Sequence, residues 1–455
     1  MAEEKVLDVL SQDFKSKLFP PERELIPGLS DLYELELAFY ENEILNDKEL
    51  LLNGAYFARV RGEFTRHFQM CTGKPLKLPN YSSSRLKSFF EKNIFRTGYA
   101  THGLFPYRGK FHPQMIKGLI NTMGIKSGEK VLDPMMGSGT LPLEAKLMGI
   151  HSIGIDASPF CRFMTQTKVD ALTMSLMRAK RTLNNYKEVF VYFANRVGKS
   201  KVGSKEQIHK TVKGYMNVMD SASEYVKTTN REHLTKKDRD TSDTYNFLLL
   251  AYLDSVGYSE RSKKKSPVEQ FRSILERYLF VAEKIQVVLR AVEPELGKTE
   301  ILEGDSRSLP LDDESIDGII FSPPYSFAVD YLANDSSHLN FLGVRIEELK
   351  SRMIGLRGRS LSEKFELYKE DMNQVLAECA RVLRKNKFCA IIVGTNSNQL
   401  SKVLGVSPED VPGLQKIIVD MAENHGFKLA KEISRPITGI SNTMRKEYIL
   451  IMEKE

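Results

Sequence analysis

The 455-residue sequence predicts an α/β protein organised on an open, largely parallel sheet. Two stretches carry that expectation. The first, Val131-Leu132-Asp133-Pro134-Met135-Met136-Gly137-Ser138-Gly139-Thr140, runs from a short apolar strand through a glycine turn into the helical pattern Leu141–Met148. The second is the apolar run Ile316 to Ile320, closed by Phe321-Ser322-Pro323-Pro324-Tyr325. Short apolar runs bounded by turn residues read as buried parallel strands, and ligands of such sheets sit beyond the carboxyl ends of the strands.

In chain order, residues 1–95 read as a helical segment of unassigned role, with breaks at Pro20-Pro21 and at Pro79-Asn80-Tyr81-Ser82-Ser83-Ser84. Pro113 suits the first turn of a helix, and Met115, Ile116, Leu119, Ile120 and Met123 give that helix an apolar face. His112, just before it, is either a structural hydrogen-bonder or a ligand contact. Glu129 to Leu132 forms the first sheet strand. Gly137 and Gly139 allow close backbone approach to a ligand, and the free N–H groups of the following helix favour a carboxylate. A G-x-G without a third glycine argues against a dinucleotide fingerprint. Asp133, at the strand end, is placed to accept from an ammonium. His151 to Ile155 forms the second strand, ending at Asp156, 17 residues after Gly139. An acidic residue there suits ribose hydroxyls, although it also serves as a cap for the next helix.

A plain strand–helix–strand unit takes ~30 residues, yet the next strand, Glu300 to Leu302, lies far beyond Asp156. Residues 172–298 therefore read as a helical insertion, with mobile stretches at Val197–Glu206 and Thr228–Ser242. Residues 171–300 hold 24 Lys+Arg against 16 Asp+Glu, so this region carries the whole net charge of +7 and the remainder is nearly neutral. A basic segment on a neutral body suits a phosphate-bearing partner, or is a solvated helical face. Ser262-Lys263-Lys264-Lys265-Ser266 is its basic knot, and Phe271, Ile274, Leu275, Tyr278, Leu279, Ala282, Ile285, Val288 and Leu289 mark a long amphipathic helix after it. Beyond Tyr325, Arg352, Arg357 and Arg359 lie on a glycine-containing loop, either as phosphate contacts or as solvated charges. Phe365 to Leu383 forms another amphipathic helix, Phe388 to Val393 a strand, Ile417 to Asn424 a helix and Glu447 to Met452 a closing strand.

Composition narrows the class. Hydrophobic content of 41% and charged content of 27% are ordinary for a globular protein. No apolar run approaches the ~18 residues of a membrane span, and the start, Met-Ala-Glu-Glu-Lys, lacks a signal-peptide core. Cys71, Cys161, Cys379 and Cys389 show no CxxC spacing. The expectation is an intracellular, cytoplasmic protein without structural zinc or a membrane partner.

Together, D-P-x-x-G-S-G-T (Asp133–Thr140) and S-P-P-Y (Ser322–Tyr325) resemble the paired signatures of the DNA amino-methyltransferases, which methylate cytosine N4 or adenine N6 with S-adenosylmethionine. The resemblance spans roughly residues 100–170 and 298–455. It implies a Rossmann-like, seven-stranded class I methyltransferase sheet, with residues 96–171 and 299–455 as the catalytic domain and the insertion as a candidate nucleic-acid recognition region. By the resemblance, His112 and Pro113 hold the methionine end of the cofactor, with Asp133, Pro134, Met135, Gly137, Ser138, Gly139 and Thr140. Met135 departs from the phenylalanine usual there. Asp156 then takes the ribose, Asp305 the adenine amine, and Leu309 packs on the ring. Ser322, Pro323, Pro324 and Tyr325 form the catalytic motif, and Lys263, Lys264, Lys265, Arg352, Arg357 and Arg359 are candidate nucleic-acid contacts.

A ring-conjugated amine is a poor nucleophile, so acceptors that draw its hydrogens out of plane, and in-line alignment with the methyl group, are the needs of such a site. Prolines lacking N–H groups and locked in φ hold the carbonyls of Ser322 and Pro323 rigid, and Tyr325 can stack on the base. Serine at the head of the motif resembles the cytosine-N4 branch, where aspartate is common in the adenine-N6 branch. The expectation is cytosine N4 of DNA. The alternatives are an RNA base amine, adenine N6 of DNA, or a non-catalytic binding subunit.

Overall fold

The computed structural model describes residues 17–29, 31–72, 98–107, 109–196, 208–228, 233–261, 266–292, 295–324, 331–395, 397–407, 410–436 and 446–455. The chain divides into two compact units, one of residues 1–69, 111–162 and 294–455, the other of residues 70–110 and 163–293.

The first unit contains two sheets. Strands β1 (Arg23–Leu25), β2 (Phe57–Val60) and β3 (Glu63–Phe64) form a small antiparallel sheet. The main sheet comprises β4 (Lys130–Asp133), β5 (His151–Asp156), β6 (Thr299–Glu303), β7 (Ile316–Phe321), β8 (Leu383–Gly394), β9 (Phe427–Pro436) and β10 (Lys446–Lys454). Its order is β6-β5-β4-β7-β8-β10-β9. The first five pair in parallel, and β10 runs antiparallel to both of its neighbours. This is the Rossmann-like seven-stranded class I methyltransferase arrangement. The order reverses between β4 and β7, which makes that crevice the topological switch point where open α/β sheets bind ligands.

Helices cover both faces of the sheet. Helices α1 (Leu32–Ile44), α2 (Pro113–Thr122) and α3 (Thr140–Leu147) share one apolar core with Val131, Ile320, Ala390 and Ile449. Helices α4 (Leu361–Val382) and α5 (Leu414–Glu423) share the other with Leu132, Ile319, Phe321 and Ile391. Neighbouring residues such as Val131 and Leu132 fall in opposite cores because strand side chains alternate. All six residues of β7 are buried, which is why its sequence reads as an uninterrupted strand.

The N-terminal stretch is less purely helical than its sequence suggests, since it also supplies β1–β3. Up to Gln69 it belongs to the first unit. Glu41 on α1 is fully buried and accepts hydrogen bonds from Ala55 N at 2.9 Å, Tyr56 N at 3.1 Å and Asn121 Nδ2 on α2 at 2.6 Å. Gly118 on α2 lies flush against the Tyr56 ring, where an added Cβ would come within 2.7 Å. Strand β9 has no counterpart in the sequence reading. Six of its ten residues are exposed, so its alternation carries little hydrophobic signal.

In the second unit the helices Lys210–Thr228, Lys236–Arg261 and Pro267–Val292 dominate. All nine apolar residues that mark the last of these are buried. The stretch Thr228–Ser242, expected to be mobile, is helical from Lys236 onward. Tyr278 anchors the packing, donating to Asp254 at 3.1 Å and accepting from Phe105 N at 2.8 Å. Lys263, Lys264 and Lys265 lie outside the described residues, as does Val197–Glu206. Among the described residues no helix is long and apolar enough to cross a membrane.

Candidate cofactor and base-binding site

Strand β4 delivers Asp133 to the carboxyl edge of the sheet. Its carboxylate is wholly buried; Oδ1 accepts from Met135 N at 3.1 Å, while Oδ2 has no partner among the described residues. Burial pushes its pKa well above the usual carboxylate range, and the nearby Asp156 adds to this, against the opposing Met135 hydrogen bond. A buried acceptor without a donor is a place for a cation or an N–H of a ligand.

The loop after Asp133 depends on two glycines in left-handed conformation, Gly137 (φ 49°) and Gly139 (φ 75°), which other L residues adopt only under strain. Gly139 precedes α3 directly, so the first N–H groups of the helix open toward the loop. The loop is pinned to the next strand. Asp156 at the end of β5 accepts from Gly137 N at 2.9 Å through Oδ2 and from Ser158 N at 2.8 Å through Oδ1. Burial raises the pKa of Asp156 despite those bonds. The Cys161 side chain is a third donor to this carboxylate, which leaves it one lone pair for a hydroxyl. Gly154 on β5 is so close below that an added Cβ would lie 2.7 Å from Met136 Sδ and 2.9 Å from Pro142 Cγ.

The exit of β6 joins the same cluster. Ser306 Oγ donates to the carbonyl of Pro134 at 2.6 Å, and Gly304 N to that of Asp156 at 3.0 Å. Asp305 is paired with Arg307, whose Nη2 lies 2.7 Å from Oδ2. Leu309 is buried in the core shared with α4, and its N–H donates to Glu378 at 2.7 Å.

Strand β7 brings the second motif alongside. Val131 pairs with Gly318 and Leu132 with Ile319 in parallel register. The residues after them, Asp133–Pro134 and Phe321–Ser322, therefore leave neighbouring strands at the same edge of the sheet. Ser322 is half-buried, Pro323 buried and Pro324 half-buried, with Ser322 Oγ 3.3 Å from the Pro323 carbonyl. Tyr325 lies outside the described residues. His112 is half-buried at the N-cap of α2 without a side-chain capping bond, and Pro113 takes the first helical position.

The three arginines expected on one loop diverge, and Arg352 instead closes the helix Ile346–Arg352. Arg352 and Arg359 are exposed, whereas Arg357 is tied to Asp371 on α4. Arg357 is thus a structural cation rather than a loose one. Arg307, Ser306 and Asp371 were not read from the sequence as site residues. The one available signal was an aspartate within the apolar stripe Phe365, Tyr368, Met372 and Val375 of α4.

Residues 104–238 match the family UPF0020, described as RMKL-like, methyltransferase domain. Among curated proteins, the chain is 24% identical over 290 residues to the Type II methyltransferase M.BsoBI of Geobacillus stearothermophilus, covering 56% of this chain and 55% of that one. It is 23% identical over 446 residues to the Type II methyltransferase M.MjaII of Methanocaldococcus jannaschii, covering 76% of this chain and 78% of that one. The chain is thus similar, at low identity, to a methyltransferase domain family and to Type II methyltransferases. It spans little more than half the length of the first of these relatives and over three quarters of the second. A shorter match, 38% over 52 residues, covering 11% of this chain and 16% of the relative, is to a tRNA (guanine(10)-N2)-dimethyltransferase of Methanothermobacter thermautotrophicus.

S-adenosylmethionine fits the cluster at the tips of β4, β5 and β6. The unpartnered Asp133 Oδ2 suits the ammonium, the glycine turn and helix start suit the carboxylate, and Asp156 keeps acceptor capacity for the ribose.

Proposed function

We propose that this protein methylates an exocyclic amine of a nucleic-acid base, cytosine N4 of DNA. The observation that carries the reading is the parallel pairing of β4 with β7, which brings Asp133–Gly139 and Ser322–Pro324 side by side at one sheet edge. When bound, S-adenosylmethionine supplies an electrophilic methyl group. The chain supplies grip and orientation. Ser322 Oγ and the Pro323 carbonyl accept hydrogen bonds from the target NH2, which favours a tetrahedral nitrogen with its lone pair released from the ring. Pro323 is buried and φ-locked, so those acceptors are preorganised rather than recruited. Tyr325 stacks on the base. The proton leaves to water after transfer, and no histidine base is required. A paired base cannot reach such a site, so the substrate is extruded or single-stranded.

The similarity to two Type II methyltransferases supports DNA, and serine at the head of the motif supports cytosine. The basic insertion, with Lys263, Lys264 and Lys265, and the exposed Arg352 and Arg359 supply phosphate contacts in this reading. The short stretch similar to a tRNA dimethyltransferase supports a second reading, an amine of an RNA base. In either case the protein works inside the cell, where nucleic acid and cofactor meet.

The deciding experiment supplies methyl-labelled S-adenosylmethionine with DNA or with total RNA, digests to nucleosides and identifies the labelled one. N4-methyldeoxycytidine is the expected product. Label in N6-methyldeoxyadenosine, or only in RNA, overturns the substrate assignment; no label in any nucleoside overturns the enzymatic reading.

A further inference from the structure

Asp305, at the exit of β6, is gripped by a single arginine. Oδ1 accepts from Arg307 N at 3.0 Å and Arg307 Nε at 2.9 Å, and Oδ2 from Arg307 Nη2 at 2.7 Å. The same guanidinium reaches outward to two further acceptors. Nη1 donates to Asp371 Oδ1 at 2.7 Å, and Nη2 to the carbonyl of Arg352 at 3.0 Å. Asp371 in turn accepts from Arg357.

Exposure along this chain of contacts is graded. The side chain of Asp371 is 1% exposed, that of Arg307 14% and that of Asp305 43%. The post is therefore buried and the far side of the Asp305 carboxylate is open. Burial by itself raises the pKa of Asp305, but the hydrogen bonds and charge of Arg307 outweigh it and hold the group below the usual carboxylate range. Three N–H groups of Arg307 occupy the carboxylate, Nε being shared with Oδ2 at 3.2 Å, so one lone pair on Oδ2 stays open, and it is that of an anion at neutral pH. A planar guanidinium can serve three acceptors at once, which a lysine ammonium on a flexible stem cannot do in fixed directions.

We propose that Arg307 is a positioning residue that orients Asp305 so that its open Oδ2 lone pair selects the amino group of the cofactor's adenine, with Asp371 as the buried post that holds Arg307. The inference rests on the cofactor reading given above. It goes beyond it by assigning base selectivity to two residues that need not touch the ligand. The network also ties the backbone at Arg352 to this guanidinium directly and the side chain of Arg357 to it through Asp371, so disturbing Arg307 disturbs residues 352–357 as well.

The test compares, by calorimetry on the full chain, S-adenosylhomocysteine with its 6-deamino analogue, in which hydrogen replaces the adenine amine. A hydrogen bond to a charged group makes the expected wild-type preference for the amine roughly tenfold or more. Arg307→Ala should reduce that preference to about twofold or less, and Arg307→Lys should give an intermediate ratio. Asp371→Asn should move the ratio in the same direction. A general loss of stability lowers both affinities together and leaves their ratio unchanged, so the ratio separates positioning from folding. If Arg307→Ala does not fold, Arg307→Lys carries the test. Wild-type binding with an unaltered ratio in the Arg307 variants overturns this inference alone. Failure of the wild-type chain to bind either nucleoside overturns the cofactor reading, and this inference with it.

Discussion

Asp156 accepts the amide hydrogen of Gly137 at 2.9 Å, which locks the glycine loop of one strand to the tip of the next. The bond makes one carboxylate both a structural clamp and a ligand acceptor. Cofactor binding and loop geometry are consequently not separable at this residue.

Asp156→Ala removes both functions and should weaken S-adenosylhomocysteine binding by about ten- to a hundredfold, the range for hydrogen bonds to a charged group. Asp156→Asn retains one carbonyl oxygen and should lose less. Calorimetric titration of both variants checks the order; equal affinities in Asp156→Ala and wild type would remove Asp156 from the site.

Tyr325→Ala should slow methyl transfer by roughly ten- to a hundredfold, the scale of losing one base–aromatic stack, while the affinity for S-adenosylhomocysteine stays near that of wild type. Single-turnover kinetics and calorimetry together test this. A large loss of cofactor affinity with unchanged transfer at saturation would contradict the stacking role.

Lys117 on α2 and Glu144 on α3 form a buried ion pair at 3.5 Å, with side chains 1% and 0% exposed. Lys117→Met takes the Lys117 charge away from a buried carboxylate and should cost about 3–5 kcal/mol. Replacing both by apolar residues of similar volume should recover most of that loss. Denaturant midpoints of the single and double variants measure the difference, and a double variant as weak as the single one would refute it.

Glu41 links α1 to α2, and burial pushes its pKa up to about 7 against the hydrogen bonds from Asn121, Ala55 and Tyr56. A raised folded-state pKa means the stabilising contribution is full below the unfolded value, near 4.5, and is lost as pH rises through about 7. The span corresponds to an effect on the order of 3 kcal/mol. Wild type should thus lose stability relative to Glu41→Gln between pH 5 and pH 8. The pH slope is the readout, because glutamine also changes the baseline by offering one acceptor oxygen where glutamate offers two. Parallel pH profiles for the two proteins are the result that fails this prediction.

Local chemistry determined much of this protein from sequence alone. The runs around Val131, Ile153 and Ile319 are apolar because they are buried on both faces, and Gly137, Gly139, Pro323 and Pro324 advertise backbone conformations that few other residues adopt. The helix Pro267–Val292 was legible for the same kind of reason, the nine apolar residues that mark it recurring at helical spacing and all being buried. Tertiary structure alone decided which polar groups meet. Nothing near Asp305 in sequence announces Asp371, 64 residues beyond Arg307, and nothing near Glu41 announces Asn121, 80 residues away. Strand β9 likewise exists because β10 offers it a ladder, not because its own residues demand one. Apolar burial leaves a periodic trace in the chain, whereas an ion pair or an edge-strand ladder depends on where two distant segments come to rest.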